Sequence, residues 1–230
     1  MIDLDGAGVE VGGPDGSSTI LHPVTLRLAE HRIGIIGANG SGKSTLARML
    51  NGLTEPTTGH VHVDGLDTRR DGPAVRRRVG FVFTNPAAQL VMPTAVEDVG
   101  LSLRRVEKDA RRRRALALQV LEQHGLGDKA DVSVHALSGG QKQLLALAGV
   151  LATEPDVVVA DEPTTLLDLR NTRLVADRLF TMRQQLVLVT HDLDLVQRCE
   201  RVLVVDDGRV VHDGAAAAAV AFYRERELSR

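Results

Sequence analysis

An apolar run at residues 32–37, RIGIIG, ends in glycine, and the chain then changes rhythm. Leu46, Met49, Leu50 and Leu53 recur at i, i+3, i+4 and i+7, which predicts a strand, a loop and an amphipathic helix in that order. GHVHVDG and RVGFVF are further β-branched or aromatic runs bounded by glycine and proline, and they predict strands. From residue 95 to residue 126 the pattern is helical and stops at glycines, giving a candidate helical subdomain over approximately residues 90–150. DVVVAD and LVLVTHD have the unbroken apolar run of strands buried on both faces, with a helix carrying Val175, Leu179 and Met182 between them. Strands alternating with helices predict a mostly parallel sheet with crossover helices. RVLVVDDGRVVHDG predicts a closing hairpin around an Asp-Gly turn, and the alanine run after it a terminal helix.

Composition narrows this picture. Aromatic residues are only 2% of 230 while hydrophobic residues are 43%, so Val, Leu, Ile and Ala must build the core, as in helices packed on an aliphatic sheet. A net charge of −2 gives no global attraction to nucleic acid or acidic membranes. The single cysteine, Cys199, permits no internal disulfide and reads as a small helix residue. The longest apolar runs, LLALAGVLA and AAAAAVAF, fall well short of the roughly 20 residues that span a bilayer. The first residues, MIDLDGAG, lack the basic and apolar regions of a secretory signal, so a cytoplasmic chain is expected, with any membrane attachment made through a partner. Two basic clusters, at residues 76–78 and 111–114, have acidic neighbours and no interleaved aromatics; they read as solvated faces, with docking to an acidic partner surface as the alternative. His60 and His62 share one face of a strand without a third ligand and read as structural.

Three stretches carry candidate chemistry. GANGSGKST, residues 37–45, places Gly37, Gly42, Lys43 and Ser44 as a P-loop requires. Glycines let backbone N–H groups close around a triphosphate, Lys43 brings a mobile positive charge to it, and the Ser44 hydroxyl can ligate Mg²⁺. VVVADEP ends a buried strand in adjacent carboxylates, Asp161 and Glu162, one able to support a metal and the other to polarise water. As neighbours on a strand their side chains are expected to point to opposite faces, so the two cannot do the same job. His191 stands at another strand end, where a neutral imidazole can hydrogen-bond a γ-phosphate or the attacking water. A second glycine turn, LSGGQKQ at residues 137–143, opens a helix about a hundred residues after the first phosphate cradle.

The order GANGSGKST, LSGGQKQ, VVVADEP, LLD, VTHD resembles the ABC-type nucleotide-binding domains of transporters over nearly the whole chain. The resemblance implies one α/β domain, residues 1–230, of the P-loop NTPase fold, with an N-terminal antiparallel β portion and the helical subdomain inserted in the core. It implies ATP and Mg²⁺, with Gly37, Ala38, Asn39, Gly40, Ser41, Gly42, Lys43, Ser44 and Thr45 at the phosphates. Ser44 and Asp161 would support the metal, and Glu162 and His191 would act in catalysis. Ser138, Gly139, Gly140 and Gln141 would meet ATP bound to a second ATPase subunit, identical or a paralogue, and Asp168 would link the two sites.

Two departures stand out. The stretch VEVGGPDGSSTIL lacks the aromatic residue that stacks on adenine in the family. Thr84 occupies the place of a metal-reaching glutamine, and Gln89, five residues on, is the candidate to replace it as a metal ligand. LARMLNGLTEPTTGHVHVDG and TNPAAQLVMPTAVEDV are similar to the ATPases of energy-coupling-factor importers, and the threonine before NPAAQ to those of biotin transporters in particular. A peripheral subunit on the cytoplasmic face is then implied, held by a membrane coupling subunit and a substrate-binding membrane subunit, with no nucleic-acid partner. Cobalt, nickel or another vitamin are the alternative cargoes. A non-transport ABC ATPase and a nucleotide-gated switch are the competing classes; the length and single cysteine speak against the first, Glu162 and His191 against the second.

Overall fold

The computed structural model describes residues 1–13 and 16–229. In chain order the elements are β1 (Ile2–Gly13), β2 (Gly16–Leu28), β3 (Arg32–Ile36), α1 (Lys43–Met49), β4 (Thr58–Val63), β5 (Leu66–Asp67), α2 (Gly72–Arg78) and β6 (Val79–Val82). There follow α3 (Ala95–Ser102), α4 (Ala110–Gln123), α5 (Gly139–Leu151), β7 (Val157–Asp161), α6 (Leu169–Thr181), β8 (Gln185–Val189), α7 (Leu193–Val196), β9 (Arg201–Asp206), β10 (Arg209–Gly214) and α8 (Ala216–Leu228). One sheet, ordered β2-β1-β4-β5, is antiparallel; the other, β10-β9-β3-β8-β7-β6, is parallel except for its β10 edge.

The parallel sheet is buried on both faces, and its strands divide their side chains by parity. Ile33, Ile35, Val157, Val159, Val187, Val189, Leu203 and Val205 pack with α1 and the antiparallel sheet. Val158, Ala160, Leu186 and Leu188 turn the other way, onto α5, α6 and the helices between β6 and β7. Ile36, Val202 and Val204 meet α7 and α8, with Cys199 packed among them. Burial pushes the Cys199 thiol up to about 12, so it sits as an inert apolar residue.

The predicted strands are found, and the helices differ in detail: the stretch at residues 95–126 is divided into α3 and α4, and Cys199, expected in a helix, lies beyond the end of α7. α1 ends one turn earlier than its apolar spacing suggests: Leu46, Met49 and Leu50 are fully buried, whereas Leu53 lies beyond the helix and is 46% exposed. The closing hairpin forms as expected, and Asp207 (φ 46°) and Gly208 (φ 68°) give its turn the two left-handed residues that match strand twist. The long β1–β2 hairpin has no clean alternation in sequence because bulges interrupt its register between Leu4 and Glu10.

Candidate functional site

The turn from β3 into α1 makes a shallow cradle. Gly37 has φ 149°, and a Cβ on it would lie 1.9 Å from the Val205 carbonyl oxygen; Gly40 (φ 80°) and Gly42 (φ 103°) complete a path that side-chain-bearing residues rarely follow. Ser41 Oγ is buried and has no hydrogen-bond partner among the described residues, the mark of a polar lining that awaits a ligand. The Lys43 ammonium, folded back across the loop, donates to the Ala38 carbonyl at 2.7 Å. Burial lowers its pKa, and the nearby Glu162 and Asp161 carboxylates work against that shift.

Ser44, one residue into α1, meets the end of β7: its hydroxyl donates to Asp161 Oδ1 at 2.9 Å. Asp161 is buried, and burial raises its pKa against the opposing pull of Ser44 and Arg48. Arg48, one turn further along α1, stands 3.7 Å from Asp161 Oδ2. A hydroxyl and a carboxylate touching beside the phosphate cradle are the hard oxygen donors that Mg²⁺ takes, so this pair fits that ion.

Glu162 leaves the strand. Its backbone is left-handed (φ 51°), so the alternation of the strand, which ends at Asp161, does not set the direction of its side chain. Its N–H still donates to the Val189 carbonyl of β8 at 2.9 Å. Its Oε2 stands 2.8 Å from His191 Nδ1 and accepts from Thr165 Oγ1 at 2.8 Å. Residues 37–39, Thr84, Glu162, Thr165 and His191 line one cavity of about 520 Å³, together with Tyr223 and Glu227 of α8. The two α8 residues and Thr165 were not anticipated, because no local pattern connects a C-terminal helix or a threonine among other polar residues to this cavity.

Thr84 stands at the site as the sequence places it, and Gln89 does not replace it there. Thr84 Oγ1 donates to the Asp161 backbone carbonyl at 2.8 Å and lines the cavity. Gln89 is not brought to Ser44 and Asp161: its Oε1 accepts from Phe83 N–H at 3.3 Å and its Nε2 donates to the Ala146 carbonyl at 3.4 Å, so both ends of the amide join β6 to α5. Gln143 of α5, buried and also unforeseen, donates to the Phe83 carbonyl at 3.3 Å.

LSGGQ opens α5 through a capping box. Ser138 Oγ accepts from Gln141 N–H at 3.3 Å and Gln141 Oε1 accepts from Ser138 N–H at 2.9 Å. A Cβ on Gly140 would lie 2.3 Å from the Asn171 side chain, so glycine there lets α5 approach α6. Asn171 in turn binds Asp168, whose Oδ1 accepts from Asn171 N–H at 2.8 Å and caps α6. Ser138, Gly139, Gly140 and Gln141 do not line the cavity that holds Glu162 and His191.

Of the clusters read as structural, His60 Nδ1 lies 3.1 Å and His62 Nε2 3.8 Å from Asp67 Oδ2, whose other oxygen accepts the Arg69 and Arg70 N–H groups. In the basic clusters, Arg78 pairs with Asp64 at 3.1 Å and Arg114 with Asp131 at 2.7 Å, all at the surface.

A cradle, a buried acid beside it, a Glu–His pair on the same cavity and a separate LSGGQ cap define an ATP-binding cassette. The sequence model of the ABC transporter family matches residues 21–165, and the chain belongs to that family. It is 43% identical over 224 residues to the biotin transport ATP-binding protein BioM of Rhizobium etli, covering 97% of this chain and 98% of that one. It is 39% identical over 208 residues to the energy-coupling factor transporter ATP-binding protein EcfA1 of Halalkalibacterium halodurans, covering 85% and 72%. Among solved structures it is similar to the dimeric ATP-binding cassette MJ0796 in a post-hydrolysis state bound to ADP and Pi, at 29% identity, a TM-score of 0.83 and coverage of 94% and 99%. The chain is an ABC ATPase. Among the described residues no helix is long and apolar enough to cross a membrane.

Proposed function

We propose that this chain is the ATP-hydrolysing subunit of an energy-coupling-factor type importer, with biotin as the cargo of the assembled complex. The observation that carries the reading is the placement of the Glu162–His191 pair, 2.8 Å apart, on the cavity of the phosphate cradle, while the LSGGQ cap stands outside it. Such a chain holds a complete hydrolytic half-site and an unused γ-phosphate cap, which supports closure between two ATPase subunits, identical or paralogous. The likeness to BioM and EcfA1 supports the importer type and the cargo.

In this reading the Gly37–Thr45 loop binds the phosphates, and Lys43 leaves the Ala38 carbonyl to neutralise them. Ser44 and Asp161 would hold Mg²⁺, which would supply positive charge against the phosphates. Glu162 accepts a proton from water as its oxygen attacks the γ-phosphorus. His191, held against the carboxylate, keeps it oriented and bonds the γ-phosphate. The rate comes from positioning and charge, with little covalent work by the protein. Ser138, Gly139, Gly140 and Gln141 close over the ATP of the second subunit, and Asp168, through its cap on α6, connects the two sites.

The complex sits at the cytoplasmic face of the membrane, this chain being peripheral to a coupling subunit and a substrate-binding subunit. The test is uptake of labelled biotin by cells expressing the chain with its membrane subunits. Wild-type chain should support ATP-dependent accumulation and Glu162→Gln should abolish it; uptake of cobalt or nickel instead would reassign the cargo, and recovery of the purified chain only with nucleic acid would overturn the importer.

A further inference from the structure

We propose that Thr165 is a positioning residue for the Glu162 carboxylate, acting together with His191 so that one carboxylate oxygen is immobilised and the other is left for the attacking water. This rests on the hydrolytic reading above. Both hydrogen bonds to the Glu162 side chain fall on Oε2: Thr165 Oγ1 at 2.8 Å and His191 Nδ1 at 2.8 Å. No hydrogen bond among the described residues falls on Oε1.

The geometry explains why a second donor is needed. Glu162 has left the pleat of β7 through a left-handed residue, so sheet packing no longer fixes the direction of its side chain. The terminal torsion of a glutamate is broad and roughly two-fold, and one hydrogen bond leaves the carboxylate plane free to swing. His191 reaches Oε2 from the end of β8 with a side chain that is 59% exposed, so little packing supports this one donor. Thr165 reaches the same oxygen from the loop that follows β7, where its own N–H closes a turn onto the Glu162 carbonyl at 3.4 Å. Two donors from separate elements on one oxygen set the torsion and turn Oε1 toward the reaction.

The chemical step then balances at named atoms. The water oxygen bonds the γ-phosphorus, its proton passes to Glu162 Oε1, and the bond from the γ-phosphorus to the bridging oxygen breaks, its electron pair leaving with ADP. A misplacement of about 1 Å at a reacting group can cost on the order of 100-fold in rate, so loss of the Thr165 donor is expected to act on turnover and not on binding.

The position of Thr165 adds a second consequence. It lies in the short loop that carries Leu166, 65% exposed, and that ends at the Asp168 cap of α6, whose first residue, Leu169, is 68% exposed. The carboxylate is therefore oriented by the segment whose apolar side chains a second subunit would cover.

The experiment compares Thr165→Val and Thr165→Ser with wild type in the full chain, measuring kcat and KM for ATP, affinity for a non-hydrolysable ATP analogue, and Tm. Thr165→Val keeps the shape and removes the donor; kcat should fall about tenfold, with KM, analogue affinity and Tm unchanged. Thr165→Ser restores the hydroxyl and should stay within about twofold of wild type. Turnover of Thr165→Val within twofold of wild type, a loss in Thr165→Ser as large as in Thr165→Val, or a loss confined to KM or Tm would each overturn the proposal. Absence of ATP turnover in the wild type would instead remove the hydrolytic reading on which it rests.

Discussion

Lys43 shows how a residue waits for its ligand. Its ammonium is buried enough for its pKa to fall, yet two carboxylates nearby and one backbone carbonyl keep a cation tolerable there. A phosphate offers a stronger, charge-assisted partner than the Ala38 carbonyl, so the side chain moves a short distance to a better bond. Lys43→Ala should weaken ATP binding on the order of 30- to 150-fold, the equivalent of roughly 2–3 kcal/mol for a charged hydrogen bond. Isothermal titration with ATP reads this directly, and unchanged affinity would show that the lysine does not reach the nucleotide. The cradle itself was legible residue by residue, because its glycines, lysine and serine are contiguous and each answers a local demand of the backbone or the anion. Gln89 was misplaced for the opposite reason: an amide five positions from the expected one can face several ways, and only packing between β6 and α5 decides which.

At the scale of elements, the ends of helices reveal what strand and helix patterns conceal. The last carbonyls of α6 have no partners within the helix. Arg32, on β3, serves the end of α6 and the turn after it: its guanidinium donates to Phe180 O in the last turn at 3.1 Å, to Met182 O at the helix cap and to Gln184 O beyond it at 2.8 Å, while burial lowers its pKa. An arginine opening a buried strand looks like an error of pattern until α6 is seen to end above it. Arg32→Leu should cost about 2–3 kcal/mol by leaving those carbonyls unpaired, a fall in Tm of roughly 5–10 °C for a chain of this size, measured by calorimetry. Element existence was legible wherever burial is uniform, as in β3, β7 and β8, since a strand covered on both faces must be apolar throughout. The β1–β2 hairpin was reached only by family likeness, because bulges break its alternation. Glu162 was assigned to the strand on which Asp161 ends, whereas its left-handed backbone had no signal in the residue type.

For the whole molecule the decisive feature is separation. Glu162 and His191 line a cavity that the LSGGQ turn does not, and in the proposed reading two subunits complete the site. Glu162→Gln keeps the shape of the side chain and removes the proton acceptor; with ATP it should accumulate dimers that wild type forms only transiently, visible by light scattering after size exclusion. A variant that stays monomeric with bound ATP would count against closure in pairs. The sequence by itself determined the order of motifs, the buried parallel strands and the phosphate cradle, because each depends on near neighbours in the chain and on the solvent preference of single side chains. Only the tertiary structure decided which groups meet: Thr165 and His191 on one oxygen of Glu162, Thr84 on the backbone carbonyl and Ser44 on the carboxylate of Asp161, Tyr223 and Glu227 at the cavity of Glu162. Those meetings depend on how β7, β8 and α8 are stacked and where a left-handed residue turns the chain, and a one-dimensional pattern carries no distance between residues far apart along it.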